Sequence, residues 1–292
     1  MDVSRMLDTA GRVVVVSPHF DDAVLSVGGL IAGCAGRGQP VEVLTVFSAA
    51  GAASGGGRMR AFSDYETRVR EDDRALALLG ARPERLGLSE RLFRDPPPRG
   101  PLPLFRTSPD LARGEYPATV QRAIRDVLAT PDTIVLAPLG IGNHVDHVIV
   151  AVGALLAMPE RASRLLFYED FNALSERNRR RHPVSRLRPF PIRGAPAWAS
   201  PRAGFELEAT SALARGPDPV ALAGHSARDG QWHMTASPVD AAAESAKLDA
   251  VSEYRTQTAA LGGESALHSL LRRAHTVRGG ELIWQFRPEG QQ

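Results

Sequence analysis

The apolar residues of this chain fall into two kinds of run, short continuous ones and longer ones with helical spacing. A run of four valines ends at Val16 and predicts a strand, buried on both faces, at about residues 12–17. Apolar residues at helical spacing precede Gly80, a residue type that commonly ends a helix. The first part of the chain therefore alternates strands, at about 12–17, 40–50, 85–89, 132–140 and 163–170, with helices, at about 23–35, 63–80, 118–130 and 148–158.

This alternation predicts an α/β fold in which a mostly parallel sheet carries helices on both faces. In such sheets, ligands bind beyond the carboxyl ends of the strands. His19, Asp21 and Asp22 follow the first predicted strand, and His144 and His147 follow the fourth. Both groups are therefore expected at the same edge of the sheet.

The second part of the chain, at about 172–292, is less regular. It contains a basic, proline-rich segment at 177–204, predicted helices at 239–262 and 265–276, and a predicted closing strand at 280–286. We expect a single domain over residues 1–292 whose core lies at about 11–171, because no internal repeat divides the chain. The segments 95–117 and 177–201 are rich in proline and arginine, and long loops of this kind commonly form binding walls, so both are expected to flank the site as mobile loops.

Composition narrows the class of protein. The chain has 292 residues, of which 43% are hydrophobic and 23% charged, so it can bury a large core. Lys247 is the single lysine among 35 basic residues, and no block is both basic and aromatic enough to indicate nucleic-acid binding. Cys34 is the single cysteine, which excludes an internal disulfide and a cysteine metal cluster. No signal-peptide pattern or membrane-length apolar run is present, so we expect a soluble cytoplasmic protein.

The polar residues at the predicted sheet edge have the composition of a metal site. His19 and Asp22 are three residues apart, as are His144 and His147, and this spacing places each pair on one side of a helical turn. Two histidines and a carboxylate on a divalent ion, with one position open, is typical of catalytic zinc. Asp21 is the candidate general base for water activated there. Of His144 and His147, one would then be a metal ligand, and the other, as a cationic imidazole, would stabilise an oxyanion.

Each motif also has a structural interpretation. Aspartates at the start of a helix frequently cap it, and a histidine pair before an apolar helix is often structural. The pair Gly28 and Gly29 falls inside the first predicted helix, which favours close helix packing over a nucleotide-binding loop. Glu169 and Asp170, after the fifth strand, are expected either to bind sugar hydroxyls or to cap the next helix. The occurrence of both motifs at one edge favours chemistry there.

The motifs resemble those of the PIG-L/LmbE-like metal-dependent de-N-acetylases. The resemblance rests on "SPHFDDAVLSVGG", which contains His19, on "HVDH" about 125 residues later, and on "RVREDDRALALLG" between them. It extends weakly to "FYEDF" and "KLDAVSEYRTQ". The family's usual His-Pro-Asp-Asp-Glu has Phe20 and Ala23 in place of proline and glutamate, and Gly142 stands where some members have an aromatic residue. Gly142 therefore argues against the thiol-biosynthesis pseudo-disaccharides known as substrates in this family.

The resemblance implies a Rossmann-like fold and hydrolysis of an N-acetyl or related N-acyl group on an amino sugar. It implies the following site: His19, Asp22 and His147 as metal ligands, Asp21 as general base, His144 as the oxyanion stabiliser, Asp146 as the carboxylate that orients His144, and Arg68 and Asp95 as substrate contacts. The expected metal is Zn²⁺, with Fe²⁺ or another divalent ion as the alternative.

The expected substrate is an amino-sugar conjugate or secondary metabolite, larger than a free monosaccharide and carrying an acidic or bulky aglycone, because arginines favour anionic groups. Alternatively, Arg68 and the arginines of the segments 95–117 and 177–201 only reflect the near absence of lysine from the chain. Two other functions remain open: a non-catalytic sugar-binding protein, and a hydrolase acting on a non-sugar amide or ester. Asp21 speaks against the first of these, because a binding protein needs no general base beside a metal.

Overall fold

The structure is a computed structural model, and it describes residues 3–49, 64–158, 164–188, 209–210, 212–214, 216–228 and 231–287. The part of segment 177–201 beyond residue 188 lies outside the described residues. Within the described residues, no helix is both long enough and apolar enough to cross a membrane.

A seven-stranded sheet forms the centre of the molecule. Its strands are β1 Arg12–Ser17, β2 Val41–Thr45, β3 Arg82–Arg85, β4 Thr133–Pro138, β5 Leu165–Tyr168, β6 Trp232–Ser237 and β7 Glu281–Phe286. They lie in the order β3-β2-β1-β4-β5-β7-β6. The first five are parallel, whereas β7 runs antiparallel to both β5 and β6. The predicted mostly parallel α/β sheet is therefore confirmed.

Helices cover both faces of this sheet. Those of the described chain are α1 Val3–Asp8, α2 Asp22–Gly36, α3 Tyr65–Leu78, α4 Leu102–Phe105, α5 Glu115–Ala129, α6 Val145–Ala157, α7 Glu176–Arg181, α8 Pro219–Leu222, α9 Ala241–Glu253, α10 Arg255–Ala260 and α11 Glu264–Arg278. Two apolar clusters result. One joins α2, α3, α9 and α11 to one face of the sheet, and the other joins α5 and α6 to the opposite face.

Three of the predicted elements differ in the structure. The third strand lies at Arg82–Arg85, not at 85–89, where a single bridge joins Ala49 to Ser89. Its sequence, "RPER", has no apolar run that would predict a strand. It lies at the edge of the sheet, where an ion pair from Arg82 to Glu42 joins it to β2. The helix predicted at 239–262 is broken at Tyr254, and the proline-rich segment 95–117 contains the short helix α4.

The C-terminal portion contacts α2 through a buried charge cluster. α2 is kinked at Val27, and the freed backbone N–H groups of Gly29 and Leu30 donate to the Glu281 carboxylate at 3.0 and 2.7 Å. Lys247 Nζ donates to the same carboxylate at 2.7 Å. A Cβ at Gly29 would lie 2.6 Å from Val239 Cγ1, so the predicted role of this glycine in close packing is confirmed.

Candidate active site

The two motifs meet at the carboxyl edge of the sheet, beyond β1 and β4. Asp22 Oδ2 lies 2.9 Å from His19 Nδ1 and 3.1 Å from His147 Nε2, although His147 is 125 positions further along the chain. Ligand atoms of these three residues all lie within 4.8 Å of one another, close enough to hold a metal ion. A second triad, His19, His144 and Asp146, meets the same criterion and shares His19 with the first.

The turn between β1 and α2 sets the positions of the first motif. Ser17 Oγ donates to the His19 carbonyl at 2.6 Å and accepts from Ala23 N at 3.0 Å, which closes the turn. His19 therefore precedes the helix, which begins at Asp22, and does not lie on its first turn. Asp21 occupies the N-cap position but its side chain makes no capping hydrogen bond, so the capping interpretation does not account for this carboxylate.

His147 is oriented by a carboxylate from the end of β5. Its Nδ1 lies 2.7 Å from Asp170 Oδ1, while Asp170 Oδ2 accepts from the backbone N–H groups of Gly140 and Ile141 at 2.9 and 3.0 Å. Asp170 accepts the Nδ1 proton of His147 in a hydrogen bond, so loss of the Nε2 proton would leave a lone pair on Nε2, on the side of Asp22, as a metal ligand requires. Burial acts to lower the pKa of His147, but Asp22 and Asp170 raise it to about 10. The site therefore attracts positive charge.

His144 lies beside the cluster and is neutral. Its ring is at the N-cap of α6, where Nδ1 accepts from Asp146 N at 3.3 Å. Burial is the main cause that lowers the pKa of His144 to about 3, and the neighbouring His19 and His147 act in the same direction. Because Nδ1 accepts, the single proton of this neutral ring belongs on Nε2. His144 can thus offer a neutral N–H donor, not the cationic imidazole that the sequence analysis expected.

Asp146 contacts other partners than expected. Its Oδ2 lies 4.0 Å from His144 Nδ1, beyond hydrogen-bond distance, but only 3.1 Å from His19 Nε2. The carboxylate also pairs with the Arg94 guanidinium and accepts from Arg91 N at 2.9 Å. The backbone of Asp146, and not its carboxylate, contacts His144 Nδ1. Its carboxylate links His19 to the segment that contains Arg91 and Arg94.

A cavity of about 320 Å³ opens above these residues. Asp21 lines it, and burial together with the neighbouring Asp22 raises the pKa of Asp21 to about 6. The apolar part of its lining consists of Leu25, Leu92, Leu104, Phe105, Phe171 and Leu261. The cavity thus combines a carboxylate suited to proton transfer near neutral pH with an apolar enclosure.

The two expected substrate contacts lie in different places. Arg68 lines the cavity but is buried, and its Nη1 donates to Glu90 Oε1 at 2.6 Å. Its guanidinium lies 5.3 Å from the ring centre of Phe20. Asp95 is exposed and does not line this cavity but a neighbouring one. The structure brings together the six expected metal and catalytic residues and Arg68, while Asp95 stands apart.

Sequence reasoning did not assign two residues that hold the site. Asp170 was expected to bind sugar hydroxyls or to cap a helix, and it contacts His147 instead. Arg94, which pairs with Asp146, lies in a segment rich in proline and arginine, where no pattern singles it out. Two signals were available for Asp170: its position at the end of a predicted strand, on the same edge as the histidines, and the weak family resemblance of "FYEDF".

Comparison with known families decides the assignment. The profile of the family described as PIG-L, GlcNAc-PI de-N-acetylase, matches residues 14–158, a span that contains both histidine–aspartate motifs. Residues 14–158 of the chain form a PIG-L family domain. The resemblance drawn from His19 to Asp22 and from His144 to His147 is thereby confirmed.

A relative of similar sequence agrees with this match. A 2′-N-acetylparomamine deacetylase from Streptomyces fradiae is 36% identical over 174 residues. The match spans 58% of this chain and 60% of that protein, less than two thirds of its length.

Solved structures of similar fold cover nearly the whole chain. A teicoplanin deacetylase in its zinc-inhibited form has a TM-score of 0.66 at 22% identity, and an A40926 pseudoaglycone deacetylase has 0.62 at 23%. Each covers 96% of this chain and 100% of its own. At such identities the likeness establishes the fold.

Proposed function

We propose that this PIG-L family protein is a metal-dependent de-N-acetylase. It hydrolyses an N-acetyl or related N-acyl group on the amino sugar of a glycoconjugate or secondary metabolite. The observation that carries the proposal is Asp21, a carboxylate without a capping role, which lines the same cavity as the His19, Asp22 and His147 cluster. The Streptomyces fradiae relative, named as a 2′-N-acetylparomamine deacetylase, supports it.

The side chains of this cluster fit a divalent ion such as zinc. Asp22 Oδ2 lies 2.9 and 3.1 Å from the two imidazole nitrogens, and ligands of a tetrahedral zinc are separated by roughly 3.3 Å. Two imidazoles and one carboxylate leave a position open, as catalytic zinc sites do. Asp170 supplies the carboxylate–histidine contact that usually accompanies a histidine ligand. A divalent cation held there would supply Lewis-acid activation of water and of the amide carbonyl.

The residues around the cluster carry the proton transfers. Asp21 accepts a proton from the water whose oxygen attacks the acyl carbon, and it returns that proton to the nitrogen as the C–N bond breaks. His144, with its proton on Nε2, donates a hydrogen bond to the oxygen that gains negative charge. The products are a carboxylate and a protonated amine, which carries both protons of the water. A non-catalytic sugar-binding protein would not need this arrangement of Asp21 and His144.

Acetate release tests the function directly. Purified protein loaded with Zn²⁺ or Fe²⁺ is incubated with free N-acetylglucosamine and with a series of its aryl glycosides, and acetate and free amine are both quantified. We expect hydrolysis that is abolished by a chelator and restored by the divalent ion, with the aryl glycosides preferred because the cavity has a broad apolar wall. Absence of acetate from every amino-sugar substrate would contradict the proposal.

Replacing Asp170 with asparagine should weaken metal binding by roughly 10–100-fold. An asparagine can still accept from Gly140 N and Ile141 N, but its amide would donate to His147 Nδ1. The imidazole proton would then move to Nε2, the atom needed as a metal ligand. Competition with a chromophoric chelator measures the affinity, and Asp126→Asn, an exposed change on α5, is the matched control. Equal affinity in the two variants would contradict this role for Asp170.

A further inference from the structure

A second cavity, of about 340 Å³, lies on the other side of one wall of the active site. We call it the arginine cavity, since Arg91, Arg94 and Arg106 all line it. Tyr116 and apolar residues including Val145 complete its surface. The mechanism proposed above uses none of these three guanidinium groups for chemistry.

The two cavities share a wall made from three chain segments. In the first segment, Glu90 and Leu92 face the metal cavity while Arg91 and Arg94 face the arginine cavity. The segment 104–106 divides in the same way, with Leu104 and Phe105 on the metal cavity and Arg106 on the arginine cavity. At the start of α6, Asp146 and His147 line the metal cavity while Val145 lines the arginine cavity. The two cavities are therefore adjacent along these segments.

The three guanidinium groups differ in the hydrogen bonds and ion pairs that they make within the chain. Arg94 pairs with Asp146, and its guanidinium carbon lies 4.2 Å from the Tyr116 ring centre. Arg91 Nη1 donates to the Pro96 carbonyl at 3.2 Å, a neutral partner. Arg106 is exposed and makes no hydrogen bond or ion pair with the chain that the structure describes. Arg91 and Arg106 thus retain their charge for an external partner.

Arg68, the arginine expected from the sequence to meet an acidic substrate, is already neutralised. Its guanidinium is buried against Glu90, whose carboxylate is 2.6 Å away. Asp95 also lines the arginine cavity and offsets one of the charges of Arg91 and Arg106, which leaves one positive charge in excess. The arginine cavity, and not the part of the active site beside Arg68, therefore has the positive charge that an anion requires.

We propose that the arginine cavity binds an acidic group, a carboxylate or a phosphate, borne by the part of the substrate remote from the acylated amine. This inference rests on the proposed function and specifies its substrate class. Arginine pairs with carboxylate and phosphate through two parallel hydrogen bonds, and the Tyr116 ring and apolar wall suit an aromatic or apolar scaffold carrying the acid. The same chemistry would bind a free inorganic anion.

The test compares two glycosides that differ in one charge. The probes are the 4-carboxyphenyl and 4-carbamoylphenyl glycosides of glucosamine, already deacetylated, so that binding is measured by calorimetry whether or not the protein hydrolyses amides. In the wild type we expect the carboxylate to bind roughly tenfold more tightly than the amide. In Arg91→Gln/Arg106→Gln that ratio should fall to near one. Arg113→Gln/Arg122→Gln removes two exposed arginines outside the cavity and should retain it.

A second titration with inorganic phosphate distinguishes a free anion from one carried by the substrate. Phosphate binding that is weakened by Arg91→Gln/Arg106→Gln, but not by the control variant, supports the cavity with a free anion as its ligand. Equal binding of the two glycosides to the wild type, together with phosphate binding that is insensitive to Arg91→Gln/Arg106→Gln, overturns the proposal. A carboxylate preference without acetate release in the hydrolysis assay would overturn the deacetylase function and leave the anion site standing.

Discussion

Replacing Asp21 with asparagine should lower kcat by roughly 10²–10⁴-fold and leave the bound metal near the wild-type amount. Asparagine has almost the same shape but cannot accept a proton from water. Asp21 makes no capping hydrogen bond that the substitution would break. Its pKa, raised to about 6 by burial and by Asp22, suits a base that must both accept and return a proton near neutral pH.

Two measurements on the same sample separate catalysis from metal binding. Metal content is determined by elemental analysis and kcat by acetate release, with Asp126→Asn again as the control for a charge removed at a distant surface. Asp22→Asn provides the contrast, since loss of a ligand should lower metal content as well as activity. If Asp21→Asn loses its metal, Asp21 is a ligand, and the assignment of roles between the two aspartates is wrong.

Buried parallel strands account for the success of the sequence analysis of the fold. β1 and β4 are covered on both faces and therefore read as continuous apolar runs, which locate them to within a residue or two. The histidine–aspartate motifs directly follow these strands, so their meeting at one sheet edge could be predicted without coordinates. The PIG-L match over residues 14–158 and the similar fold of a solved structure agree with the predicted overall architecture.

Edge strands and tertiary contacts were beyond such reasoning. β6 was not predicted, because most of its residues are only partly buried and they give no clear alternation. The pairing of Asp146 with His19 and Arg94 depends on how the segment 90–95 folds over α6, which no local pattern encodes. The neutral state of His144 likewise follows from burial beside two other imidazoles, a property of the assembled site.

The single lysine of the chain is explained by its surroundings. Lys247 and Glu281 are both almost fully buried, and the carboxylate also receives two backbone N–H groups freed by the kink in α2. A Cβ at Gly28 would lie 2.9 Å from Lys247 Cγ, so the lysine stem runs closely along the bare helix backbone. The unbranched lysine side chain and its compact ammonium fit the narrow space beside Gly28, whereas the planar guanidinium of an arginine would need more room.

Lys247→Met should therefore destabilise the protein by about 3–5 kcal/mol, because the buried Glu281 would lose the ammonium at 2.7 Å and keep only the His275 imidazole at 3.7 Å as a basic neighbour. For a chain of this size the melting temperature should fall by roughly 10 °C, measured by calorimetry at a fixed scan rate. The control is Arg70→Met, which breaks an exposed ion pair to Glu66 and should cost at most about 1 kcal/mol. Lys247→Met/Glu281→Gln should recover part of the loss, since a neutral amide can still accept from Gly29 N and Leu30 N without requiring a cation. If Lys247→Met melts at the same temperature as Arg70→Met, the buried pair does not hold the C-terminal portion against α2.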